Sequence, residues 1–283
     1  MLRTHSPVRA LTPADRDRAL EVCARNPAAN VFVAARVLEG ALQSMPGALL
    51  GYADGDELQA LCWASANVVP VECDDEAVDA FAGKLRRHRR RCSSLFGPAE
   101  QVLPLWSRLT RSWGSAREVR ANQPLLAVDV LARQRAGVSA DPGVRVARPD
   151  EVDLVVPAAA AMFREEIGYP PFEGSDRAYR NSVATLIARQ HTYLRLDDEG
   201  RVLFKADVGS AAIGAAQVQG VWVSPAHRGH GLAAPAMAAV VDLVTRDVAP
   251  LVSLYVNDYN APARSAYERV GFTQTGRFAT VLL

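Results

Sequence analysis

The chain has 283 residues, 49% of them hydrophobic and 22% charged, with a net charge of +1. That composition places it among soluble globular proteins, with length for two domains of ordinary size. The near-neutral balance supplies no global field for nucleic acid or a membrane surface, so neither is expected as a partner.

Met1 to Ser6 hold no apolar core and do not read as a signal peptide, so a cytoplasmic location is expected. Pro7 to Asp17 then reads as a short strand followed by a helix started by Pro13. Gly143 to Asp153 repeats the pattern: Val8, Arg9, Pro13 and Asp17 match Val144, Arg145, Pro149 and Asp153 at one offset of 136 residues (8 to 144). An offset near half the chain reads as a tandem repeat of one α/β unit.

In the first half a helix is expected over Asn30 to Leu42, closed by Met45-Pro46-Gly47. Strands follow at Ala48–Ala53, Leu58–Ala64 and Val68–Val71. A helix is expected from Asp74 to Arg91, then a strand at Ser94–Phe96, a helix at Pro98–Thr110 and a strand over Val119–Val130 interrupted at Gln123-Pro124. The Asp74 helix ends in the basic run Lys84, Arg86, Arg87, His88, Arg89, Arg90, Arg91, a charge placement that favours a helix C-terminus by itself. No aromatic platform is interleaved with it, so a solvated face outweighs a nucleic-acid contact. The four cysteines, Cys23, Cys62, Cys73 and Cys92, form no C-x-x-C pair and read as reduced, packed thiols.

Leu131 to Gly143 is polar and rich in small residues, and reads as a linker between a domain at 1–130 and one at 144–283. In the second half Val152 to Phe163 reads as a buried helix; this apolar stretch is too short to span a bilayer and contains Pro157. It runs into Glu165-Glu166 and the ordered loop Tyr169-Pro170-Pro171-Phe172. A helix at Ser175–Gln190 and a hairpin of Tyr193–Asp197 with Val202–Val208 come next.

The most informative stretch is Gln217 to Ala239. Val218, Val221, Trp222 and Val223 read as a strand that Ser224-Pro225 ends. Arg228-Gly229-His230-Gly231-Leu232-Ala233 forms a Gly-containing loop, and Pro235 places a helix start near Leu232. The unpaired amides of a first helical turn, the positive end of the dipole and Arg228 make a cradle for a pyrophosphate. There is neither a G-x-G-x-x-G nor a Lys-Ser/Thr after the glycines, so the two common nucleotide loops are excluded. His227 and His230 lack a third ligand, and no metal is expected. Leu251–Val256 is a buried strand, Asn260 an N-cap, Gly271 a C-cap, and Phe272–Leu283 a final strand pair.

Arg228-x-x-Gly231-x-Ala233 resembles the acetyl-CoA pyrophosphate motif of the GNAT superfamily of N-acetyltransferases. Asn260-x-x-Ala263 followed by Tyr267-Glu268-Arg269-x-Gly271-Phe272 resembles its second motif. The resemblance covers about Val144 to Leu283, and the element order of the first half is that of the same family. The first half resembles the poorly characterised domain that accompanies such a module in some actinobacterial-type proteins. The fold implied is α/β (α+β), two tandem GNAT-like mixed sheets flanked by helices, with the acetyl-CoA site in the second. The corresponding loop of the first unit, Glu72-Cys73-Asp74-Asp75-Glu76, has no glycine or arginine and four carboxylates, so it is expected not to hold CoA.

The implied reaction is amine attack on the acetyl-CoA thioester. Donor-binding residues implied are Val221, Trp222, Val223, Arg228, Gly229, His230, Gly231, Leu232, Ala233, Asn260 and Tyr267. Tyr267 is placed by the motif to protonate the thiolate, and Glu165, Glu166 or Asp207 could take the amine proton. The expected partners are acetyl-CoA and an amine-bearing small molecule or protein, on a monomer or homodimer. Two rival readings stay open: a non-catalytic acyl-CoA sensor or scaffold, and a transferase acting on a protein or tRNA through the basic helix.

Overall fold

Each half opens on the same clamp. Strand β1 (Val8–Ala10) leads through a 3₁₀ turn at Pro13–Asp15 into α1 (Arg16–Ala24), and β7 (Val144–Val146) leads through a turn at Pro149–Glu151 into α7 (Val152–Ile167). Arg9 grips the buried Asp15 with both guanidinium nitrogens, at 2.8 and 2.6 Å. Arg145 grips the buried Glu151 at the same two distances. The guanidinium partners hold Asp15 well below the usual carboxylate range and bring Glu151 down to about 2. The acids also accept from the turns they close, Thr12 N at 2.9 Å and Arg148 N at 2.7 Å. The 136-residue repeat is therefore one local structure built twice.

The computed structural model describes residues 7–55, 57–87 and 92–283. After α1 come α2 (Pro27–Leu38), α3 (Ala41–Ser44), β2 (Leu49–Asp54), β3 (Glu57–Ala64), β4 (Asn67–Val71), α4 (Asp75–Leu85), β5 (Ser94–Pro98), α5 (Ala99–Trp113), β6 (Glu118–Asp129) and α6 (Val130–Arg135). The second half repeats the order with α8 (Arg177–Ala188), β8 (Thr192–Leu196), β9 (Val202–Ala212), β10 (Ala215–Val223), α9 (Ala233–Asp247), β11 (Leu251–Tyr255), α10 (Ala261–Val270) and β12 (Thr273–Leu282).

Several expected boundaries shift for local reasons. The helix expected at Asn30–Leu42 starts earlier, because Asn26 caps it by accepting from Ala29 N, and it breaks at Gly40 in left-handed backbone. The helix expected to reach Arg91 ends at Leu85; His88, Arg89, Arg90 and Arg91 lie outside the described residues, as do Met1 to Ser6. Pro124 does not interrupt β6, and its carbonyl accepts from Val256 N at 3.2 Å. The stretch read as a linker begins with helix α6, capped by Asp129 and held by the buried Arg133, which pairs with Asp242 on α9.

The two mixed sheets are joined edge to edge, so that the described residues form one sheet of twelve strands, in the order β1-β2-β3-β4-β5-β12-β6-β11-β10-β9-β8-β7. The expected final strand pair is one strand, β12, lying antiparallel between β5 and β6. β6 in turn lies antiparallel against β11. Each half thus receives its last strand from the other. Helices α1, α2, α7 and α8 cover one face and α4, α5, α9 and α10 the other. Alternation sorts the side chains: Leu49, Leu61 and Val69 join the cluster under α2, while Leu50, Cys62 and Val68 join that under α4 and α5. Cys23, Cys62 and Cys92 are buried and unbridged, and burial pushes the Cys62 thiol well up.

Candidate active site

β10 and β11 run parallel only over Ala215–Gln217 and Leu251–Ser253. Beyond Gln217 they part, and a wedge opens between them. β10 also slips register against β9 between Gln219 and Trp222, at Gly220 in left-handed backbone (φ 60°). The bulge turns the last residues of β10 toward the wedge. Ser224 N donates to Leu203 O on β9 at 2.8 Å, so the preceding amide, Val223 N–H, points the other way, into the wedge. Under the bulge the fully buried Lys205 pairs with Asp207 and donates to Gly220 O at 3.3 Å. Asp207 also accepts from Thr192 Oγ1 at 2.9 Å. Asp207, one of three acids expected as a possible proton acceptor, is thus a buried carboxylate held between a lysine and a threonine.

The loop that follows is shaped by backbone. Gly229 and Gly231 have φ of 78° and 81°, and a Cβ on either would meet nothing within 4 Å. The glycines are thus needed for the left-handed turns and leave open space above the loop. Leu232 offers no side-chain cap to α9, and Pro235 removes one amide from its first turn. The N–H groups of Ala233 and Ala234 are left as orphan donors at the positive end of a fifteen-residue helix. Arg228 folds back, with Nε donating to Val223 O at 3.0 Å and a terminal nitrogen on Glu165 at 2.6 Å. Its half-exposed guanidinium ties the loop to the end of α7. His230 Nδ1 sits 2.9 Å from Arg228 O.

Beyond the wedge, Asn260 caps α10 by accepting from Ala263 N at 3.3 Å. Tyr267 is buried on this helix, its ring edge-on to Phe272 at 5.8 Å, within the cluster that Val221, Val223, Leu232, Ala233 and Ala263 pack against. Burial, with the Glu166 carboxylate as a second cause, pushes its phenol up, so it stays protonated. The two acids at the end of α7 separate in role. Glu165 has both oxygens engaged, by Trp222 Nε1 at 3.3 Å and by Arg228. Glu166 is exposed, and desolvation of its carboxyl raises its pKa against the opposing pull of Arg120. The same carboxylate acts on Tyr255 at the end of β11, which burial takes up to about 12. Contacts thus bring Val221, Val223, Leu232 and Ala233 together with Tyr267 in one cluster and tie Glu165 to Trp222 and Arg228, while Gly229, His230 and Gly231 lie in the loop before α9, Asn260 caps α10, and the Glu166 charge acts on Tyr267. Tyr255 itself packs between Phe96 and Phe278, at 6.4 and 5.0 Å between ring centres, and Arg120 reaches Glu166 from an exchanged strand whose place no local pattern signals.

At the equivalent position of the first unit the loop is full. Asp74 caps α4 by accepting from Ala77 N at 2.8 Å, Glu72 accepts from Asn30 at 2.8 Å, and Asp75 pairs with Arg108. Glu72 itself takes left-handed backbone (φ 54°), where the second unit has Ser224 in extended form.

Family models match two stretches of the chain. Residues 47–155 match a domain of unknown function (DUF4081), and residues 161–272 match the acetyltransferase (GNAT) family. The second half carries a GNAT acetyltransferase domain. A stretch of 78 residues is 38% identical to the mycothiol acetyltransferase of Brachybacterium faecium, covering 28% of this chain and 24% of that protein. The match thus spans about a quarter of the curated relative's length. A GNAT-family acetyltransferase from Colwellia psychrerythraea is similar over 98% of this chain and 99% of its own, at 13% identity and a TM-score of 0.60. The tandem GNAT protein from the clavulanic acid biosynthesis pathway covers 96% and 97%, at 17% identity and a TM-score of 0.56. At such identities the likeness is one of fold, and it extends the GNAT layout across both halves. Among the described residues no helix is long and apolar enough to cross a membrane, and no three metal-ligating side chains come together.

Proposed function

We propose that the GNAT domain transfers an acetyl group from acetyl-CoA to a primary amine, and that the first unit (1–130, joined through 131–143) binds no donor. The reading rests above all on the uncapped first turn of α9 standing at the mouth of the β10–β11 wedge. The orphan amides of Ala233 and Ala234 and the open space over Gly229 and Gly231 suit a pyrophosphate. The open edge of β10 suits the amide-bearing arm of CoA, whose thioester supplies an acyl carbon open to attack. Val223 N–H is directed to polarise the carbonyl, Glu166 to take the amine proton, and Tyr267 to protonate the departing sulfur.

Two measurements test this reading. Calorimetric titration should give one acetyl-CoA per chain, and free thiol should appear only when a suitable amine from a panel is supplied. Two molecules per chain would refute the filled first loop. Binding without amine-dependent thiol release would make the domain a sensor instead.

The loop itself can be probed at Gly231. Asp tolerates left-handed backbone better than most side chains, and its Cβ would meet nothing within 4 Å. A carboxylate at ~4 Å from a phosphate costs on the order of 1–4 kcal/mol. Gly231→Asp should therefore weaken acetyl-CoA binding roughly five- to thousandfold. An unchanged Kd in the folded variant would move the pyrophosphate elsewhere.

A further inference from the structure

We propose that the first half serves the cleft directly, as a positioning element: the exchanged strand β6 clasps both of its walls through Arg120, Asn122 and Gln123. This rests on the reading of the wedge given above. Arg120, mostly buried and gripped by Glu118 at 2.8 and 3.1 Å, donates to the main-chain carbonyl of Glu166 at 2.7 Å. That bond fixes the end of α7 where the proposed base stands. On the opposite wall, Asn122 donates to Asp258 at 3.0 Å and Gln123 donates to Asn257 Oδ1 at 2.9 Å. Asn257 and Asp258 begin the turn that ends in Asn260, the cap of the helix carrying Tyr267.

Gln123 is buried, and its own carbonyl oxygen accepts from Thr280 Oγ1 on β12 at 2.7 Å. It is therefore held from behind by the strand that the second half gives to the first. The β6–β12 register slips between Gln123 and Arg120, and this bulge lies beside all three side chains. A strand belonging to the first half thus sets the separation of Glu166 from Tyr267. None of the three residues is placed to touch the acyl group, so each acts through another residue.

Amide hydrogen exchange on the full chain tests the clasp without any ligand. Gln123→Leu keeps the size of the side chain and removes both bonds. Losing a buried hydrogen bond should speed exchange of peptides covering 257–264 by about tenfold, with peptides of α4 and α5 unchanged. Gln123→Glu should restore slow exchange, because Asn257 can turn its amide and donate to the carboxylate. Asn122→Ala, an exposed change, should loosen the same peptides to a smaller degree and serves if Leu at 123 impairs folding. Titration with acetyl-CoA reads the consequence: Kd should rise about tenfold in Gln123→Leu and return in Gln123→Glu. Slow exchange at 257–264 in both folded variants, Gln123→Leu and Asn122→Ala, would overturn the clasp. Faster exchange with an unchanged Kd would overturn its service to the site. Failure of the wild-type chain to bind acetyl-CoA would strike the donor reading itself, while exchange would still decide the clasp.

Discussion

Tyr267→Phe is expected to lower turnover by roughly 10²- to 10⁴-fold, the usual worth of a positioned acid, with acetyl-CoA affinity nearly unchanged. The substitution keeps the ring that packs against Phe272 and removes only the hydroxyl. That hydroxyl has no hydrogen-bond partner among the described residues, so its loss leaves no orphan group behind. Burial and the nearby Glu166 carboxylate both disfavour the phenolate, which keeps the proton in place over the working range of pH. Steady-state turnover and calorimetry on one preparation decide the matter. Wild-type turnover would leave Tyr267 as packing alone.

Glu166→Gln should produce a loss of similar size, of the order of 10²- to 10⁴-fold, with a distinctive pH signature. The base works only when unprotonated. Its carboxyl is raised by desolvation, so the acid limb of the pH–rate profile should lie above that of an ordinary glutamate. Activity rises with pH through that limb, and the variant should lack it. Stability should move the other way. A carboxyl whose folded pKa is raised binds its proton more tightly in the fold than in the unfolded chain. Stability then falls as pH climbs from the unfolded to the folded value, and stays lowered above both. Gln cannot ionise, so the melting temperature at neutral pH should be equal to or higher than that of the wild type. A lower melting temperature together with a retained acid limb would rule Glu166 out as the base.

Much of this was readable in the residues. The wedge-to-helix segment announced itself because Gly229, Gly231 and Pro235 restrict backbone in ways few other contexts demand. The repeat showed because Val8, Arg9, Pro13 and Asp17 recur as Val144, Arg145, Pro149 and Asp153; the acids that close the two turns, Asp15 and Glu151, differ in type and gave no such signal. The surplus charge of the first unit's loop was legible, and there Asp74 accepts from Ala77 N at the helix start while Glu72 accepts from the Asn30 side chain. Strand exchange was not legible. β6 and β12 are both ordinary alternating strands, and nothing local in Val119 or Thr280 says which neighbour each will take. The division of labour between Glu165 and Glu166 was hidden for the same reason, since Arg228 lies 63 residues from Glu165 and Arg120 lies 46 from Glu166. Asp207 looked available because strand alternation gives a face, and cannot say that Lys205 shares it.

The exchange of last strands has a consequence for birth on the ribosome. β12 follows the other eleven strands in the sequence, yet it lies between β5 and β6. While the second half is being made, the first half waits with β5 as an open edge and with β6 lacking neighbours on both sides. Exposed edges of that kind invite pairing with other nascent chains. Neither unit can finish before the other, so the two should fold in one late, cooperative step, slowed by the long sequence separation of the strands that close it. A stalled chain released before Thr273 would be a substrate for chaperones, with no half-molecule able to stand alone.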